Sequence, residues 1–189
     1  PKLRQFISEN FYDERLKNHD FTEKRKIIFQ NKKDLLPETG IVMVDADHKE
    51  VCRQKSEEEG KLVKSFYNKL FGSTFLDEFN TKKIMNEDDI LIVAPYNVQV
   101  NYLKSILPKG ARVGTIDKFQ GQQAPATIIS MTTSDPESLP RNVDFFFSRN
   151  RLNVAVSRSQ CLTIVIMNKK ILDIKCNKVE HVKLVNTFM

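Results

Sequence analysis

Three arginines, Arg149, Arg151 and Arg158, fall within the run Arg149-Asn150-Arg151-Leu152-Asn153-Val154-Ala155-Val156-Ser157-Arg158, and their type and spacing suit phosphate binding. Arginine keeps its charge at any physiological pH, and its planar fork holds two oxygens at once. Arg151 and Arg158 are seven positions apart and share one face of a helix, while Leu152, Ala155 and Val156 turn towards a core. A solvated basic helix presents the same pattern, so the arginines alone leave both readings open.

Read with Thr115-Ile116-Asp117-Lys118-Phe119-Gln120-Gly121-Gln122 upstream, the arginine run completes a pair that resembles motifs V and VI of superfamily 1 helicases, specifically the Upf-like, 5′-to-3′ branch. Ile92-Val93-Ala94-Pro95-Tyr96-Asn97-Val98-Gln99 resembles motif IV at the expected distance. Phe6-Ile7-Ser8-Glu9-Asn10-Phe11-Tyr12, Ser56-Glu57-Glu58-Glu59 and Ser130-Met131-Thr132-Thr133-Ser134 are further fits, so the resemblance spans nearly the whole chain in the right order. It implies an α/β, RecA-like P-loop NTPase fold and an ATP-dependent helicase, with ATP and Mg²⁺ as cofactors and single-stranded DNA or RNA as partner.

The resemblance also assigns roles. Hydrolysis of a phosphoanhydride builds negative charge that a positioned arginine stabilises. Arg158 aligns with the last arginine of motif VI, which makes it the arginine finger; a structural salt bridge is the plainer alternative. Gln120, Gly121, Gln123 and Arg151 are implied on the nucleotide side, where a glycine lets the main chain approach phosphate or ribose. Arg149 and Arg151 stay open between phosphate contact and structural pairing. Pro95, Tyr96, Asn97, Thr115 and Lys118 are implied beside the nucleic-acid backbone. Two positions depart from the pattern. Gln123 replaces a usual Glu, keeping an acceptor oxygen without its charge, and Val100 stands where some relatives carry an Arg.

A P-loop needs Gly-x-x-x-x-Gly-Lys-Ser/Thr, whose backbone N–H groups cradle phosphates and whose hydroxyl holds Mg²⁺. The one Gly-Lys pair is Gly60-Lys61, with Lys55 in place of the first glycine and Leu62 in place of the hydroxyl. Asp77-Glu78, after Phe75-Leu76, reads as helix or loop rather than the strand end of a Walker B pair. Residues 1–189 are therefore expected to form the second, C-terminal RecA-like lobe, with 1–40 as a helical lead-in. The partner would be an N-terminal lobe holding most contacts to ATP and Mg²⁺. Pro1 in place of an initiator Met agrees with a fragment, which alone is expected to be inactive. The reading from another class is a non-catalytic nucleic-acid-binding or scaffold module that keeps the fold, towards which Gln123 and Val100 lean.

Composition permits either. The 189 residues can bury the core of one domain. A net charge of +6 favours an anionic partner, and no apolar run approaches a membrane span. Cys52, Cys161 and Cys176 are too widely spaced for a zinc site or a disulfide framework, so a reducing cytoplasm is expected. Asp45, Asp47, His48 and Glu50 read as a solvated strand end before a metal site, because no second ligand group recurs at metal spacing. Glu57-Glu58-Glu59 suits a helix N-terminus, and Phe145-Phe146-Phe147 either stacks on bases or enters the core.

These residues need strands to carry them. Apolar runs at 41–44, 90–93, 112–116, 126–131 and 162–167 read as strands, and residues 17–37 as part helix, part loop. Ser56 with Glu59 offers a capping box for a helix whose Leu62, Phe66 and Leu70 recur at four-residue spacing beside Val63, Tyr67 and Phe71. A second helix runs through Val100 and Leu103 to Pro108, and 3–12 and 177–189 are further helical candidates. Apolar strands separated by helices imply a parallel sheet covered on both faces, with ligands at loops beyond the carboxyl ends of strands. Pro95-Tyr96-Asn97 and residues 117–123 each follow a strand, so both are expected at that edge.

Overall fold

Ile92, Ile128 and Ile164 lie in register across three neighbouring strands, flanked by Val113 on one side and Val42 on the other. Such β-branched side chains lose freedom in a helix but pack well on a pleated surface, and this row is the centre of the fold. A computed structural model describes residues 24–29, 36–134 and 156–173. Its strands are β1 (Lys26–Ile28), β2 (Gly40–Asp45), β3 (Thr74–Leu76), β4 (Lys82–Ile84), β5 (Ile90–Val93), β6 (Arg112–Gly114), β7 (Ala124–Ser130) and β8 (Ser159–Met167). Two α-helices lie wholly within the described residues, α1 (Glu57–Leu70) and α2 (Asn97–Ile106). Five strands form one sheet in the order β2-β8-β7-β5-β6, and every pairing within it is parallel. Both helices pack on the face that carries the isoleucine row, burying Val63, Tyr67 and Leu70 of α1 and Val100 and Leu103 of α2. On the opposite face Leu91, Val93, Ile129 and Val165 are equally buried, as a sheet covered on both sides requires.

Three expectations are corrected. First, α1 is rotated from the stripe read in the sequence: Val63, Tyr67 and Leu70 are buried, whereas Leu62 and Phe66 are only half-buried. Second, residues 26–28 are a strand within the stretch expected to be a helical lead-in; β1 pairs antiparallel with β3, and β3 with β4, in a small separate sheet. Ile27 explains this, because pairing with Phe75 takes it wholly out of water. Third, Phe75-Leu76 does precede Asp77 in a strand, β3, but that strand enters a tight hairpin. Asp77 Oδ1 accepts the N–H groups of Phe79 and Thr81, each at 2.9 Å. The Thr81 N–H, then Lys83, hold its carboxyl below the usual carboxylate range. Asp77 is a turn-former, unlike the metal-directed acid of a Walker B strand.

The one Gly-Lys pair also has a packing explanation. A Cβ at Gly60 would lie 2.4 Å from Tyr102 Cε1 and 3.2 Å from Ile106 Cδ1, so glycine there lets α1 and α2 approach closely. Residues 3–12 and 177–189 lie outside the described residues.

Thr127 and Thr163 stand opposite one another in β7 and β8, buried, and neither hydroxyl has a hydrogen-bond partner among the described residues. A buried hydroxyl without a partner costs free energy that an isosteric methyl does not. Thr127→Val and Thr163→Val are each expected to raise unfolding stability by about 1 kcal/mol, measured by chemical denaturation. A fall in stability would mean that the hydroxyls are engaged.

Candidate functional site

Register divides the expected site residues between two ends of the sheet. Pairing of Val93 with Gly114 and Ile129 puts these three at the carboxyl end of their strands. Ala94 N–H donates to Gly114 O at 3.1 Å, so the loops leaving β5 and β6 start side by side. Pro95 and Tyr96 are half-buried there, Asn97 is exposed and opens α2, and Thr115 is half-buried across from them. The cap residue Tyr96 makes no side-chain capping bond to α2. Burial pushes its phenol above the ordinary tyrosine range, so the hydroxyl remains protonated. Lys118 is exposed, its Nζ donating to Val113 O at 3.3 Å and lying 5.7 Å from the centre of the Phe119 ring.

Residues 120–123 belong to the other end, which corrects the expectation of a single edge. Ala124 pairs with Ser159 at the amino end of β7 and β8, and Ala124 N–H donates to Arg158 O at 2.9 Å. The chain returns this far in so few residues because β6 has only three residues and a 3₁₀ turn, Asp117–Phe119, folds back along it. Gly114 permits the reversal, since a Cβ there would stand 2.6 Å from Lys118 Cδ and 3.2 Å from the Phe119 ring. Gly121 then adopts φ +78°, a left-handed conformation that favours glycine, with open space where a Cβ would be. Gln120, Gly121, Gln122 and Gln123 are all exposed.

Arg158 joins this cluster. Its Nη1 donates to Gln122 O at 3.4 Å and its Nη2 to Ser157 Oγ at 3.5 Å, while Arg112 donates to the side chain of the same Gln122. The second arginine of the predicted helical face, Arg151, lies outside the described residues, as do Arg149 and the 6–12 and 145–147 segments. Val100 is on the buried face of α2, 4% exposed, so that position is a packing position.

Sequence reasoning missed a buried polar cluster at the carboxyl end. Glu59, on the apolar stripe of α1, is fully buried. Its Oε2 accepts from Ser130 Oγ at 2.6 Å and from Thr132 N–H at 2.8 Å, and its Oε1 lies 3.1 Å from His48 Nε2. The expected capping box is consequently half built. Ser56 Oγ accepts Glu59 N–H at 3.1 Å, but Ser56 N–H is served by Gln99 Oε1 at 3.0 Å instead of by Glu59. Gln99 also donates to Ser56 O at 3.0 Å and Ser130 Oγ at 3.1 Å. His48 is thus drawn away from Asp45, which binds Lys169.

A parallel sheet with loops gathered at both ends and no phosphate cradle in its sequence defines an α/β lobe of the RecA-like class. Comparison with known proteins makes the relation specific. The AAA domain family matches residues 1–170. The DNA polymerase alpha-associated DNA helicase A of Saccharomyces cerevisiae is 25% identical over 94% of this chain and 27% of its own length. An uncharacterized ATP-dependent helicase of Caenorhabditis elegans is 29% identical over 88% of this chain and 10% of its own length. The RNA helicase Mov10l1 of Mus musculus is 28% identical over 47% of this chain and 8% of its own length. The chain belongs to the AAA domain family, and its similarity to proteins named as ATP-dependent helicases supports a superfamily 1 helicase. It spans 10% of the Caenorhabditis elegans relative and 27% of the Saccharomyces cerevisiae one.

Proposed function

We propose that this chain is the C-terminal motor lobe of an ATP-dependent nucleic-acid helicase, working against an N-terminal lobe that holds most contacts to ATP and Mg²⁺. The observation that carries the reading is the division of the site residues. Arg158 meets the 120–123 segment at the amino end of the strands, while Pro95, Tyr96, Asn97 and Thr115 gather at the carboxyl end. One end then faces nucleotide and the other a single strand, so a change at the first is felt through the sheet at the second. The uncapped N-terminus of α2 adds N–H donors and a positive dipole end where phosphates would pass. Gln123, exposed beside Gly121, would give the nucleotide a neutral acceptor in place of a charged one. Relatives are named as DNA helicases and as RNA helicases, so the strand is proposed as single-stranded nucleic acid of either kind.

The division is testable in the whole protein. Tyr96→Ala with Thr115→Ala is expected to weaken binding of labelled oligo-dT or oligo-U about tenfold, with KM for ATP within about twofold. Gln123→Ala is expected to raise KM for ATP several-fold and leave strand affinity unchanged. Fluorescence anisotropy and steady-state ATPase assays separate the two. Effects that fall on the same parameter in both variants would favour a binding module without turnover.

A further inference from the structure

Open parallel sheets receive ligands where successive connections leave neighbouring strands in opposite directions. Here that crevice lies between β5 and β7, since β5 leads to β6 on one side and β7 to β8 on the other. The protein fills it with its own groups. Gln99, just past β5, donates to Ser130 Oγ at the end of β7, and Ser130 in turn donates to Glu59. A carboxylate withdrawn from water is costly unless its oxygens are satisfied, and helix capping alone does not demand that burial. Gln99 already serves the Ser56 N–H, which leaves the Glu59 carboxylate for another purpose.

The backbone it holds indicates that purpose. Thr132 sits at φ +73°, a left-handed conformation that β-branched residues rarely adopt, and its N–H is bound by Glu59 Oε2 at 2.8 Å. The two residues that follow clasp Cys52: Thr133 Oγ1 donates to Cys52 O at 3.1 Å, and Cys52 N–H donates to Ser134 Oγ at 3.0 Å. The other arm of the cluster reaches Gln99 in the first turn of α2, the turn that begins with Asn97.

We propose that Glu59 is a positioning residue for the strand-binding end. Its carboxylate locks the left-handed Thr132 and, through Ser130 and Gln99, ties the 131–134 loop to the N-terminus of α2. The two loops thereby keep one relative arrangement while a strand is bound. The inference rests on the proposed strand surface at the carboxyl end.

Glu59→Gln in the whole protein is the test. A glutamine loses the charge that strengthens the bonds from Ser130 and Thr132, and its NH₂ in place of Oε1 breaks the contact with His48 whenever Nε2 carries the proton. The dissociation constant for labelled oligo-dT or oligo-U is expected to rise about tenfold, with KM for ATP within about twofold and a cooperative thermal melt retained. Adding Thr132→Asn is expected to recover most of that affinity, since asparagine tolerates the left-handed region. Should Glu59→Gln fail to fold, Ser130→Ala removes the two hydrogen bonds that link Gln99 to Glu59 and is expected to weaken strand binding about threefold. A lower melting temperature with unchanged strand affinity overturns the inference, as does a loss that Thr132→Asn does not reduce. Tyr96→Ala separates the two levels of the argument. If it weakens binding while Glu59→Gln does not, the Glu59 inference falls and the strand surface stands; if neither does, the strand surface falls and the inference with it.

Discussion

Arg158→Ala in the whole protein is expected to lower nucleic-acid-stimulated ATP turnover by roughly a thousandfold or more, with ATP affinity within several-fold. Charge accumulates on the transferred phosphoryl group only in the transition state, so a guanidinium aimed at it acts on kcat far more than on binding. In this lobe Arg158 is half-buried at the amino end of β8 and faces the exposed 120–123 segment. Its bonds to Gln122 O and Ser157 Oγ, at 3.4 and 3.5 Å, are long for a guanidinium. Arg158→Lys is expected to restore little, because an ammonium cannot reproduce the planar fork. Lys64→Ala, on an exposed position of α1 outside both sets of site residues, removes a charge and serves as the control. Steady-state turnover at saturating single strand reads all three. If Arg158→Ala kept more than about a tenth of normal turnover, a structural salt bridge would be the better account.

The large sheet was legible because its strands are continuous apolar runs. Residues 41–44, 90–93 and 162–167 carry little else, and all fall within observed strands. The small sheet was hidden because β1, β3 and β4 have three residues each and β4, Lys82–Ile84, is wholly exposed. No period can emerge over such lengths, and only the tertiary pairing of Ile27 with Phe75 defines them. The motifs located Arg158 and Gly121 in the sequence, but sequence order put the whole of 117–123 at one edge. The return to the amino end depends on Gly114, whose missing Cβ makes room for Lys118 and Phe119, and a glycine followed by a short turn carries no such direction on its face. Glu59 was missed for a different reason. Glu57-Glu58-Glu59 reads as a run of acids that suits a helix N-terminus, although Glu59 stands one turn before Val63 on the face of α1 that is buried. A glutamate on an apolar stripe is the signal that would have found the cluster.

The isoleucine row makes the separation of the two ends a mechanical property, and Ile128 is its centre. Ile128→Ala is expected to cost about 3–4 kcal/mol of unfolding stability. The residue is fully buried, with Ile92 and Ile164 in register on either side, so none of its surface is exchanged for water in the folded state. Deleting its outer carbons loses their transfer free energy and leaves a void that the flanking strands, held by hydrogen bonds on both sides, cannot close. Ile128→Val removes one methylene and is expected to cost only about 1 kcal/mol. An ordinary domain has roughly 5–15 kcal/mol in total, so the alanine variant would lose a large fraction of it. Urea denaturation followed by circular dichroism measures both variants, and an unchanged slope with a lowered midpoint marks loss of stability rather than a change in the unfolded chain. A cost below about 1 kcal/mol for Ile128→Ala would mean that β7 relaxes freely into the space, and a strand that relaxes so readily could not hold Arg158 and Ser130 at fixed opposite ends.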